Sequence, residues 1–287
     1  MDHIQEVLSR LLSPEKVAEV TEQVKKYSEM TPKEKAEQNA RVSNELEGKL
    51  TGYECTKCKN RGYIYKVEER VDVYGKPYYA EVACKCECMR VRDELRRIHN
   101  SGLSKLLKRY TFRAYQATEE WQRTALQEAC QYARDPEGWF FYGGQPGCGK
   151  THICTAMVGA LLKAGRAAKY MLWQDDITKI KQSVNDAEVY EALINSYKTA
   201  EILYIDDFFK TRRGDFVSTA DVNATFKIIN YRYNEELPTI ISSELSIMQI
   251  AEIDEALGSR IAEMADHKLY VARDPRKNYR FRDKKVS

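Results

Sequence analysis

No apolar run in the 287 residues approaches the roughly 18 that a membrane-spanning helix needs. The opening, "MDHIQEVLSR", has no apolar signal core, and no internal repeat is visible. With a mean hydropathy of −0.61 and 31% charged residues, these absences argue against membrane and secreted classes. They lead to the expectation of a soluble, cytoplasmic protein without a membrane partner. Histidine is scarce as well. The four present are His3, His99, His152 and His267, and none lies among the clustered cysteines.

Charge of one sign is also lacking overall, since the formal net charge is only +3. Its distribution is uneven. Between Met89 and Arg113 eight Lys/Arg face two acids, and "RDPRKNYRFRDKK" near the end repeats the imbalance. Such segments suit contact with nucleic-acid phosphates or form solvated faces, and both readings stay open.

Five of the eight cysteines (Cys55, Cys58, Cys84, Cys86, Cys88) fall within 34 residues, whereas Cys130, Cys148 and Cys154 stand apart. In a cytosolic chain this grouping points to a metal site rather than a disulfide framework. Structural zinc takes four ligands. "CTKCKNRG" resembles a zinc-ribbon knuckle, with Gly62 allowing the turn. Cys55 and Cys58 are expected to bind Zn²⁺ with Cys86 and Cys88 as the preferred second pair, Cys84 staying open as a replacement for either.

The chain divides into four expected pieces. Residues 1–50 read as a helical arm, with apolar periodicity in "IQEVLSRLL" and "VAEVTEQV". Helix starts are expected at Ser13-Pro14 and at Thr31-Pro32, the latter with a Thr31/Glu34 capping box. Residues 51–90 form the cysteine module, with β-prone runs "GYIYKVEE" and "VDVYGKPYYAEV", and 91–113 a basic linker. From 114 to 287 strands and helices alternate. Expected strands are 138–143, 167–173, "ILYID", 238–243 and 268–272, with "NYRFR" as a sixth; expected helices include 149–164, 219–236 and 247–265. This pattern implies an α/β fold with a parallel sheet covered on both faces.

"GQPGCGKT" matches the phosphate-loop pattern G-x-x-x-x-G-K-[ST] between an apolar strand and a helix. Gly144, Gln145, Pro146, Gly147, Cys148, Gly149, Lys150, Thr151 and the following His152 are the expected nucleotide-binding residues. Backbone N–H groups at a helix N-terminus cradle phosphate. Lys150 neutralises β/γ oxygens, and the Thr151 hydroxyl coordinates Mg²⁺. "ILYIDDFFK" then places two acids at the tip of a strand. Asp206 is the expected second Mg²⁺ ligand, and Asp207 the residue that polarises the attacking water. Glu244, after "PTIISS", is placed to sense the γ-phosphate, and Arg260 in "IDEALGSRIAEM" to act as an arginine finger in a neighbouring subunit.

The combination "GGQPGCGKTH", "YIDDFFK", "INYRYNEELPTIISSE", "IDEALGSRI" and the late "NYRFR", with "CTKCKNRGYI…CECMR" upstream, resembles the AAA+ replicative helicase loaders of the DnaC/DnaI type. That resemblance implies a five-stranded AAA+ P-loop ATPase without a helical lid, loading a DnaB-type hexameric helicase onto single-stranded DNA. It also implies side-by-side self-association completed by Arg260, and DNA-facing helices at about 175–199. Two positions depart from the family pattern: Asp207 where Glu is commoner, and Glu244 where many relatives have Asn. Competing readings are an IstB-type transposition helper and a nucleotide-gated adaptor with little hydrolysis.

Overall fold

The structure is a computed structural model that describes residues 13–100, 103–212 and 215–281. It divides into two compact units, Met1–Met89 and Arg90–Ser287. Residues 1–12, which include the whole of the first apolar-periodic run, lie outside the described residues. No described helix is long and apolar enough to cross a membrane.

In the first unit, α1 (Pro14–Glu29) and α2 (Pro32–Glu45) each begin at proline. The Thr31/Glu34 capping box forms in both directions, satisfying orphan N–H groups that would otherwise fray the helix. α1 buries no residue, while α2 buries Ala36 and Ala40. The antiparallel hairpin β1 (Tyr63–Val71) and β2 (Pro77–Lys85) turns at Asp72, whose carboxylate accepts from the N–H groups of Tyr74 and Lys76. Asn44 of α2 is laced to the backbone of Tyr65 in both directions, at 2.8 and 2.9 Å. The nearly all-polar α2 is therefore docked on the hairpin.

In the second unit, the stretch expected as a linker is helical: α3 (Cys88–Asn100) crosses the unit boundary and α4 (Leu103–Arg109) follows. Val91, Arg92 and Leu103 are buried. Arg90 pairs with Glu201 at 3.4 Å and Arg96 with Asp93 at 3.4 Å. Part of the basic charge thus goes into folding.

The ATPase-like core begins with α5 (Glu120–Arg134). Then come β3 (Trp139–Gly144), α6 (Lys150–Lys163), β4 (Ala168–Leu172), α7 (Trp173–Gln182), α8 (Ala187–Lys198), β5 (Ile202–Phe208) and α9 (Thr219–Asn234). β6 (Thr239–Ser243), α10 (Ile247–Ile253), α11 (Glu255–Met264) and β7 (Ala265–Val271) complete it. The sheet is parallel in the order β4-β5-β6-β3-β7. Its interior strands read as unbroken apolar runs because helices cover both faces. Trp139, Phe141, Leu203, Ile205 and Ile241 pack with Ile228, Ile250 and Leu257 in the main core.

Three expectations need correction. Trp173 starts α7 instead of ending β4, its indole N–H donating to the Thr225 hydroxyl at 3.0 Å. The helical stretch 247–265 breaks at Asp254, whose side chain caps α11 through the N–H of Leu257. "NYRFR" is no strand: Tyr279–Phe281 is a 3₁₀ turn, for a reason found at the phosphate loop.

Arg232 of α9 has no exposed surface. Its guanidinium donates to the carbonyls of Tyr197, Lys198, Ala200 and Pro238 and to the Thr239 hydroxyl, at 2.6 to 3.1 Å. Burial pulls its pKa down, yet the last carbonyls of α8 favour a cation there. Arg232→Ala should lower stability by about 3–5 kcal/mol, the scale of a broken buried charge network. Denaturant midpoints of the full chain measure this.

Candidate functional site

β3 ends at Gly144 and α6 begins at Lys150, with Gly149 in the left-handed region (φ 98°) at its N-cap. The loop between them is pinned from outside. Gln145 exchanges side-chain hydrogen bonds with the backbone of Asp274 (both 2.7 Å), and the Tyr279 N–H donates to the Gly147 carbonyl at 3.0 Å. Gly147 adopts φ 79°, a conformation that favours glycine, and its α-carbon faces the Asn278 side chain. The segment 274–280 thus wraps the phosphate loop instead of adding a strand.

Lys150 is buried, and its ammonium donates to the carbonyls of Gly144 (2.6 Å) and Gln145 (3.0 Å). The Thr151 hydroxyl donates to the Asp206 carboxylate at 3.3 Å, which joins the two expected Mg²⁺ ligands across 55 residues. Asp206 is 4% exposed. It accepts from the Tyr170 hydroxyl (3.2 Å), the Asp207 N–H (3.1 Å) and the Ser242 hydroxyl. Burial pushes the Asp206 carboxyl up, opposed by these donors. A divalent cation would favour the charged form again.

Asp207 and Glu244, at the adjacent tips of β5 and β6, line the same cavity of about 400 Å³ as Lys150, Thr151 and His152. Both carboxylates are ion-paired with Lys210, each at 3.0 Å. The far side of the cavity comes from residues that motif reading missed: Arg109, Tyr110, Tyr115, Gln116, Tyr279 and Arg280. His152 stacks on Tyr110 (centroids 4.6 Å apart), meets the edge of Tyr115 and lies 3.0 Å from the Thr111 carbonyl. Burial lowers its pKa. The available signal was the aromatic spacing in "RYTFRAY", hidden by the segment's basic charge.

Arg260 is not brought to this cavity. It donates to the Asn230 Oδ1 (3.0 Å) and the Ala256 carbonyl (2.9 Å), and its guanidinium lies over the rings of Phe226 and Tyr233.

In the first unit the Sγ atoms of Cys55, Cys58, Cys86 and Cys88 lie within 4.8 Å of one another. The Cys55–Cys86 and Cys58–Cys88 separations are 3.9 and 3.5 Å. Tetrahedral zinc with bonds of about 2.3 Å would hold its sulfurs about 3.8 Å apart, so the donor set fits such an ion. Gly62, at φ 87°, turns the chain so that its N–H donates to the Cys58 sulfur at 3.3 Å. Burial raises the Cys58 pKa, but this bond and the neighbouring thiols outweigh it and hold it at about 6. Cys84 lies outside the cluster, its sulfur 3.8 Å from the Val82 carbonyl.

Comparison with known proteins agrees with this geometry. The family model described as "IstB-like ATP binding protein" matches residues 83–287. The phage-like element PBSX protein XkdC of Bacillus subtilis (strain 168) is 29% identical over 236 residues, 78% of this chain and 84% of the relative. The replicative helicase loader DnaC of Escherichia coli (strain K12) is 26% identical over 172 residues, 58% of this chain and 67% of the relative. The crystal structure of DnaI superposes with a TM-score of 0.50 at 20% identity, covering 58% of this chain and 92% of that one, a likeness of fold. With its phosphate loop, parallel five-stranded sheet and four-cysteine cluster able to chelate a metal, the chain belongs to the IstB-like ATP-binding family, AAA+ ATPases related to DnaC.

Proposed function

We propose that the protein is an ATP-dependent loader of a DnaB-type hexameric helicase onto single-stranded DNA during replication initiation. The observation that carries this reading is one cavity lined by Lys150, Thr151 and the strand-tip acids Asp207 and Glu244, with Asp206 bonded to Thr151, in a chain related to a named helicase loader.

In this reading Lys150 and the loop N–H groups hold the phosphates of ATP, and Thr151 with Asp206 holds Mg²⁺. Tyr110, Tyr115 and His152 receive the base. Asp207 accepts a proton from, or orients, the attacking water. Held by Thr151 and Asp206, Mg²⁺ would supply charge neutralisation for the phosphates. Arg260 serves a neighbouring subunit after leaving its contacts with Phe226 and Tyr233. Zn²⁺ is the fitting occupant of the cysteine cluster. Single-stranded DNA would meet basic and aromatic side chains such as Arg212 and Phe216, the latter 92% exposed, because bases stack on aromatic faces while cations follow the phosphates.

The first unit is assigned the helicase contact. Full-length protein should co-purify with a DnaB-type helicase, and a version lacking residues 1–89 should not. Equal recovery of both would refute this assignment. A second reading, a switch that binds ATP but hydrolyses it slowly, is favoured by the ion pairing of Asp207 with Lys210. Turnover measured with the helicase present separates the two.

A further inference from the structure

Lys210 stands in the cavity as the last residue of "ILYIDDFFK", where motif reading assigns it no role. Asp207 and Phe209 both adopt the left-handed region, at φ 54° and 58°, where residues other than glycine are uncommon. The Lys210 N–H closes the turn onto the Asp207 carbonyl at 3.0 Å. The turn is anchored by buried Phe208 and Phe209, and by the Ser243 hydroxyl donating to the Phe208 carbonyl at 2.7 Å. This geometry folds the lysine back over the strand tips. Its ammonium bridges Asp207 and Glu244, 3.0 Å from each, and all three side chains are half-buried.

Lys150, Arg109 and Arg280 also line the cavity, but among the described residues Asp207 and Glu244 form their ion pairs with Lys210, and removing it takes both away. A terminal phosphate and an unpaired Glu244 would repel each other, more strongly than in water because the cavity is partly desolvated. We propose that Lys210 is a specificity-determining residue for the γ-phosphate: by pairing with Glu244 it cancels a carboxylate that would otherwise repel ATP more than ADP. The inference rests on the ATP reading above and adds to it the means by which this chain accommodates Glu244.

The test is a double-mutant cycle on the full chain, with affinities for Mg²⁺-AMP-PNP and Mg²⁺-ADP measured by calorimetry. Lys210→Met should weaken AMP-PNP binding about tenfold or more, the scale of one unscreened like-charge contact, and change ADP binding by less than about threefold. Glu244→Gln should bind AMP-PNP at least as well as wild type, and Lys210→Met combined with Glu244→Gln should recover most of the loss. Lys210→Arg, which keeps the charge, should retain the preference; it serves as the second variant if Lys210→Met melts early. An equal loss for both nucleotides, or a double mutant as weak as Lys210→Met, would overturn the inference while leaving the ATP site intact. A wild-type chain that binds neither nucleotide would sink the ATP reading, and this inference with it.

Discussion

Lys150→Ala should abolish measurable ATP turnover, with a loss of about 10²–10³-fold or more, the scale of removing one preorganised donor to developing charge. The lysine is held ready for this work. Its stem is buried, and its ammonium is kept at the loop by two carbonyls, 2.6 and 3.0 Å away. Alanine removes the donor from those carbonyls and the cation that the loop itself holds for a docked phosphate, so nucleotide affinity should fall together with turnover. Asp207→Asn is the informative partner. It keeps the shape and the phosphate-binding groups but removes the carboxylate, so affinity should stay within about threefold while turnover falls by about 10²-fold or more. Calorimetry for binding and phosphate release for turnover measure both variants. Unchanged turnover in Asp207→Asn would remove that residue from the chemistry.

Metal removal should have the second large effect. Elemental analysis is expected to find about one zinc per chain, and chelation should unfold the first unit, since structural zinc contributes roughly 10–16 kcal/mol to such modules. The physical reason is a small core. Around the sulfurs pack only partly buried Tyr53, Ile64 and Met89, and α1 buries nothing. Limited proteolysis should therefore cut within 46–89 after chelation, and equally in Cys58→Ser without it. Cys84→Ser is the control, expected to keep its zinc and its protection because that sulfur lies against Val82 outside the cluster. Zinc lost from Cys84→Ser but retained by Cys58→Ser would reverse the ligand assignment.

Much of the site was legible beforehand because its parts are local. A phosphate loop needs consecutive glycines, a lysine and a hydroxyl at set spacing, and Asp206 follows directly from an apolar strand. The helix starts at Pro14 and Pro32 are equally local, each set by proline's fixed φ just after a capping residue. Other contacts were not legible because they join distant segments. Arg109 and Tyr110 looked like part of a charged linker, and Tyr115 lay just beyond it, until α4 and the following turn carried all three to the cavity beside His152. "NYRFR" has the composition of a strand, but the Tyr279 N–H is taken by the Gly147 carbonyl, and Tyr279–Phe281 forms a 3₁₀ turn instead.

From the amino-acid sequence alone came the α/β class, the phosphate loop and the metal-site reading of the clustered cysteines, since each rests on periodicity or spacing within a few tens of residues; the exclusion of Cys84 came from the structure. Only the tertiary structure decided that Thr151 meets Asp206, that Lys210 bridges Asp207 and Glu244, and that Arg260 sits on its own subunit's Phe226 and Tyr233. Those pairings depend on where parallel strands end side by side. Strand order, unlike strand pattern, is settled by packing of the whole sheet.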